Sequence, residues 1–201
     1  MRGRFALLAA LGAAALSCLL SAASAQPDEY GAGLEKRSPG VWPDRVYHWY
    51  YNGANHPAWL GDDEARAWVQ EAARKWEVCG VKMQYEGETD RAPMRMDGRN
   101  VVGWRDVLPR GARGITVGPA ARGVLVERDI AFSSGREEFH RYPRLLKKVL
   151  VHEFGHAIGL THSSACNDVM TLAADCPRAD PATLPLFPTG HDLARCKALY
   201  P

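Results

Sequence analysis

One stretch holds the residue types and spacings that do chemistry: His152-Glu153-Phe154-Gly155-His156-Ala157-Ile158-Gly159-Leu160-Thr161-His162. Side chains four apart on an α-helix share a face, so His152 and His156 aim their imidazoles at one point. Glu153 stands beside that point, better placed to hold a water at a metal than to ligate the metal itself. Gly159 tolerates positive φ, so it breaks the helix and turns the chain back. The turn lets His162 supply a third nitrogen. Three neutral imidazoles with an open fourth position are what catalytic zinc needs, whereas a structural zinc usually has four protein ligands. The plainer alternative is a buried helix whose histidines only pack and hydrogen-bond. The bare H-E-x-x-H pattern arises by chance in about one of a hundred chains of this size. Adding the Gly and the third His makes coincidence rarer by roughly two to three orders of magnitude.

The elements around this stretch must position it. Pro143 opens its helix where a missing N–H costs little, and Leu145, Leu146, Val149, Leu150, Phe154 and Ala157 pack it against a sheet. Upstream, Tyr47, Trp49 and Tyr51 alternate with His48 and Tyr50 as a first strand with an aromatic core face. Asp62 or Asp63 is expected to cap the next helix, whose Ala65, Trp68, Val69, Ala72 and Trp76 form one apolar face. Gly80 ends it, and Val81, Met83 and Tyr85 alternate as a second strand. A third strand is expected over 92–96, turned at Asp97-Gly98 before a strand over 100–104. A short strand follows over 114–118 and a longer one over 123–132. After an irregular, Pro-rich stretch from 163 to 188, Thr189 and Asp192 make a capping-box-like start to a last helix. His48, His140 and His191 read as surface or cap histidines.

Composition sets the address. Arg2 and Arg4, the apolar run from Phe5 to Leu20 and the small residues Ala23-Ser24-Ala25 form a signal peptide over 1–25. Lipid attachment at Cys18 is the minor alternative, because Ala15-Leu16-Ser17 matches a lipoprotein box poorly. Residues 26–40 read as a loose arm and 41–201 as one domain, with no transmembrane segment. Without Arg2 and Arg4 the 25 basic residues fall to 23, equal to the 23 acidic ones. A nearly neutral chain with no basic stripe gives no reason to expect nucleic acid. Cys79, Cys166, Cys176 and Cys196 remain, an even number that suggests two disulfides with three possible pairings. A bridge from Cys166 to Cys176, which bracket Met170, would staple the loop beneath the metal and leave Cys79 for Cys196.

The motif resembles that of the metzincin zinc endopeptidases. Met170, eight residues past His162 in Asp168-Val169-Met170-Thr171, falls where that clan has its Met-turn, and Ser163 after the third His is similar to the matrixin branch. The likeness extends over most of 41–201, through Lys75-Trp76, Asn100-Val101-Val102-Gly103-Trp104, Glu127-Arg128-Asp129-Ile130 and the ending Asp192-Leu193 to Leu199-Tyr200. It implies an α+β, zincin-like fold: a twisted five-stranded mixed sheet, two long helices and a small C-terminal subdomain with the Met-turn and final helix. It implies a secreted or periplasmic zinc endopeptidase with one catalytic Zn2+ on His152, His156 and His162. Glu153 is the expected base, and Met170 an apolar floor under the imidazoles. The strand over 114–118 is expected to be the cleft edge that pairs with an extended polypeptide substrate.

Departures from the pattern limit what carries over. No Pro-Arg-Cys-Gly latency switch precedes the domain. Ala131 stands near the place of a structural-zinc histidine in related enzymes, so no second zinc is expected and calcium is left open. Thr171 and Cys176-Pro177 alter the usual wall of the specificity pocket. Lys148, four residues before His152, either lies solvated next to Lys147 or reaches that pocket with its stem. Oligomeric state is not legible. Two other functions compete: a secreted binding module with a purely structural metal, against which Glu153 argues, and a zinc amidase acting on a non-protein amide such as cell-wall peptide.

Overall fold

The computed structural model describes residues 40–172, 175–176 and 179–201. The leader over 1–25 with Cys18, the arm except for Gly40, and Pro177 lie outside the described residues.

Alternating burial builds the first strand, β1 (Val46–Asn52), whose Tyr47, Trp49 and Tyr51 are buried while His48 is exposed. Helix α1 (Asp62–Arg74) follows, with Ala65, Val69, Ala72 and Ala73 buried and Trp68 only partly so. Its N-cap is Gly61, which makes no side-chain cap, so the expected cap by Asp62 or Asp63 is corrected. The helix starts one residue earlier, and Asp62, Asp63 and Glu64 instead place their charge against the positive end of its dipole. A short 3-10 turn over Glu77–Cys79 closes on Gly80 in the left-handed region, leading into β2 (Lys82–Glu88).

Strand β3 (Val101–Arg105) is followed by β4 (Gly114–Val117), the small hairpin of β5 (Ala120–Ala121) and β6 (Val124–Leu125), and β7 (Asp129–Ser133). The sheet order is β2-β1-β3-β7-β4, parallel except for the antiparallel β4–β7 pair. This is the expected mixed five-stranded sheet, with β4 at one edge. The single long strand expected over 123–132 is two strands, split at Glu127, and 92–96 is no strand at all. Met94 and Met96 both have positive φ, which a strand does not accommodate. The backbone N–H groups of Met94, Arg95 and Val101 donate to the Asp129 carboxylate, and those of Asp97 and Gly98 to Glu127. Two buried carboxylates therefore organise this loop in place of a ladder.

The short helix α2 (Glu137–Arg141) precedes α3 (Pro143–Ala157), which starts with Pro at its first turn. Phe154 on α3 meets the aromatic face of β1, its ring 5.4 Å from Trp49 and 6.4 Å from Tyr47. Trp76 Nε1 donates to the Val151 carbonyl at 2.7 Å, tying the end of α1 to α3. The last helix, α4 (Gly190–Leu199), carries a capping box of Thr189 and Asp192, as expected. Cys79 pairs with Cys196 and Cys166 with Cys176. Such bridges suit an oxidising compartment outside the cytosol. Among the described residues, no helix is long and apolar enough to cross a membrane.

Candidate metal centre

Helix α3 delivers the first two histidines by its own geometry. His152 and His156 lie one turn apart, with Nε2 atoms separated by 3.1 Å. The helix then ends in a Schellman arrangement, in which Gly159 N–H donates to the His156 carbonyl and Leu160 N–H to that of Gly155. Gly159 sits at φ 97°, and a Cβ there would lie 2.0 Å from the Gly40 carbonyl oxygen, so no other residue fits this reversal. Beyond it, His162 Nε2 comes within 3.0 Å of His156 Nε2. Three nitrogens on a tetrahedral zinc, each ~2.05 Å from the ion, stand roughly 3.3 Å apart. The cluster of His152, His156 and His162 fits that donor set.

The other ring nitrogens fix the tautomers. His152 Nδ1 donates to the Val169 carbonyl at 2.8 Å and His156 Nδ1 to the Leu160 carbonyl at 2.7 Å. With the proton held on Nδ1, each Nε2 presents its lone pair to the common point. Burial pushes His152 well below the ordinary histidine range and His156 down to about 4, so both imidazoles are neutral at physiological pH. Glu153 is also buried, and desolvation raises it to about 7. The Thr116 hydroxyl and the Lys148 ammonium pull it the other way. A carboxylate at that value is matched to taking and giving a proton near neutrality.

Met170 is fully buried and fills the space where a Cβ on Gly155 would fall, 2.3 Å from its sulfur. Its turn is held from two sides. Ser163 bridges Thr171, with Ser163 N–H donating to the Met170 carbonyl, and the Cys166–Cys176 disulfide closes the loop. From α4, the fully buried Asp192 accepts the Val169 N–H at 2.8 Å. Asp168, expected only as a neighbour of Met170, accepts from the Ser163 and Thr189 hydroxyls and from His191 Nδ1.

Lys148 is not solvated. It is buried, and its ammonium donates to the Thr171 carbonyl at 2.7 Å, one residue past Met170. Burial lowers its pKa to about 8. Lys147 is the less buried partner of the pair, its ammonium lying over the Trp68 ring. His48 faces Glu86, His140 stacks on Trp59 and His191 meets Asp168, so none of them joins the cluster. Two contributors have no signature in the sequence. Arg195 on α4 donates from Nη2 to the carbonyls of Thr161 and His162 at 2.8 and 3.2 Å, holding the third-histidine segment from behind. Thr116 on β4 donates to Glu153.

The chain is similar in fold to a chain of an AB5 holotoxin solved in a GM1-bound form, with a TM-score of 0.50 and 11% identity over 81% of this chain and 86% of that one. An archaemetzincin from Methanopyrus kandleri aligns with a TM-score of 0.45 and 15% identity over 80% of this chain and 98% of that one. No curated protein sequence matches. The family model for Peptidase M10, matrixin, matches residues 46–200, from the first residue of β1 to the residue after α4. The sheet, the helix with His152 and His156, His162 beyond it and the closing helix all fall within that match, and the chain therefore belongs to the matrixin family of metalloproteases.

Proposed function

We propose that the chain is an exported zinc endopeptidase that hydrolyses peptide bonds of extended polypeptides, with Glu153 as general base. The observation that carries this reading is a buried carboxylate, raised to about 7 by desolvation, beside three converging imidazole nitrogens. A purely structural metal site has no use for such a base. Zinc bound by His152, His156 and His162 supplies Lewis acidity toward a water and toward the scissile carbonyl oxygen.

The chain's own residues do the rest. Glu153 accepts a proton as the water attacks and returns it to the leaving nitrogen, so no nucleophilic Ser or Cys is needed. Met170 acts as an apolar floor beneath the imidazoles, in a Met-turn that belongs to a small C-terminal subdomain running from the end of α3 through α4. One side of β4 pairs with β7, and its other side, which pairs with no strand among the described residues, aligns an extended substrate through backbone hydrogen bonds. Lys148, whose ammonium donates to the Thr171 carbonyl, would wall the pocket for the residue after the cleavage point, where a buried cation disfavours large apolar side chains. The leader over 1–25 directs export, in keeping with the two disulfides.

The test is cleavage of an unfolded protein by the purified mature chain, with Glu153→Ala alongside. Zinc-dependent cleavage by the wild type and none by the variant supports the reading. Equal behaviour of the two favours a binding module.

A further inference from the structure

We propose that Thr116 is the positioning residue of Glu153, so that the edge strand offered to the substrate also orients the general base; this rests on the endopeptidase reading. Alternation along β4 (Gly114–Val117) sends its side chains to opposite faces. Ile115 and Val117 pack with Leu108 and Ala131. Gly114 and Thr116 turn the other way, toward α3, and both meet Glu153.

Each makes a different contribution. A Cβ on Gly114 would fall 2.7 Å from Glu153 Cγ, 2.8 Å from its Oε1 and 2.9 Å from Val149 Cγ1. Only glycine leaves the room in which the Glu153 side chain lies. Thr116 Oγ1 stands 2.8 Å from Glu153 Oε2 and 3.0 Å from the Glu153 main-chain oxygen, so its one proton is offered to either acceptor. The bond to the carboxylate is charge-assisted, and threonine is stiff at χ1 because it is β-branched. The hydroxyl therefore fixes the carboxylate's rotation by engaging one oxygen and leaves the other for the water. A glutamate on a helix surface has three rotors and no such restraint. Here two residues of one strand, Gly114 and Thr116, the latter 37 positions away, define its place.

The experiment compares Thr116→Val, which keeps the shape and removes the hydroxyl, with Thr116→Ser, which keeps the hydroxyl. Each mature protein is assayed for kcat and KM on a denatured labelled polypeptide and for bound zinc. Thr116→Val is expected to lose about tenfold in kcat, the worth of one hydrogen bond, with KM and zinc content unchanged. Thr116→Ser is expected to recover most of that loss. A wild-type kcat in Thr116→Val, an equal loss in both variants, or a loss carried by KM would overturn the assignment while leaving the endopeptidase reading intact. A wild type that cleaves nothing would instead overturn that reading, and the orienting role with it. A double-mutant cycle of thermal midpoints between Thr116→Val and Glu153→Ala then separates the contact from the role. Non-additive midpoints support the contact, and additive ones overturn it.

Discussion

Residues 46–157 and residues 158–201 solve the same problem in different ways. In the first region the sheet and two long helices bury an aromatic and aliphatic core, and His152, Glu153 and His156 take their places from one helix. In the second, among the described residues, only α4 is regular over any length, and His162 and Met170 are set by individual polar contacts and covalent links. Arg195 grips the carbonyls of Thr161 and His162, Asp192 holds the Val169 N–H, and Cys166–Cys176 closes the turn. Periodic packing positions two nitrogens, and discrete anchors position the third. Damage to the first region is therefore expected to lower the stability of the whole, whereas damage to an anchor in the second is expected to loosen the metal first.

Phe154→Ala tests the packed region most severely. It removes the ring that fits between Trp49 and Tyr47, and a loss of ~4 kcal/mol in denaturant unfolding is expected. Zinc affinity of the fraction that stays folded should not change. The disulfide that joins the regions is the Cys79–Cys196 bridge, which spans 117 residues. Replacing both cysteines by serine is expected to lower stability by ~3 kcal/mol, read as a shifted thermal midpoint. Arg195→Ala addresses an anchor alone. Zinc affinity, measured by chelator competition, is expected to fall by about tenfold, the scale on which supporting residues act, with little change in the metal-free melting temperature. An equal loss of stability would erase the distinction between the regions.

The smallest effect is a pH slope. Lys148 titrates at about 8 in the fold, below its ordinary 10.5, so the folded protein binds this proton less tightly than the unfolded chain. Stability should then be penalised uniformly below about 8 and regain ~1 kcal/mol per pH unit from there toward 10.5. The stability curve of Lys148→Met, from urea unfolding at several pH values, should lack that rise.

Legibility in the sequence divides differently, between local periodic signals and single contacts across the fold. The i, i+4 histidines, the reversal at Gly159 and the burial of Tyr47, Trp49 and Tyr51 follow from helical and strand periods, which local residues set. The capping box at Thr189 was legible because its partners lie three residues apart. By contrast, Asp129 and Glu127 accept N–H groups from residues about 30 positions upstream, and no periodic signal announces a carboxylate aimed at backbone. That is why 92–96 reads as a strand when it is a loop wrapped on two acids. The burial of Lys148 was hidden because lysine ordinarily reaches water. Thr116 and Arg195 were missed because each acts through one contact across the fold.

The central claim is that three imidazoles hold one zinc beside a carboxylate that moves the proton. The most direct measurement is zinc stoichiometry and cleavage rate for wild type and Glu153→Gln side by side. One zinc per chain in both proteins is predicted, with cleavage in the variant reduced by ~1000-fold or more. Undiminished cleavage by Glu153→Gln, or full activity in a protein that contains no zinc, would contradict the account.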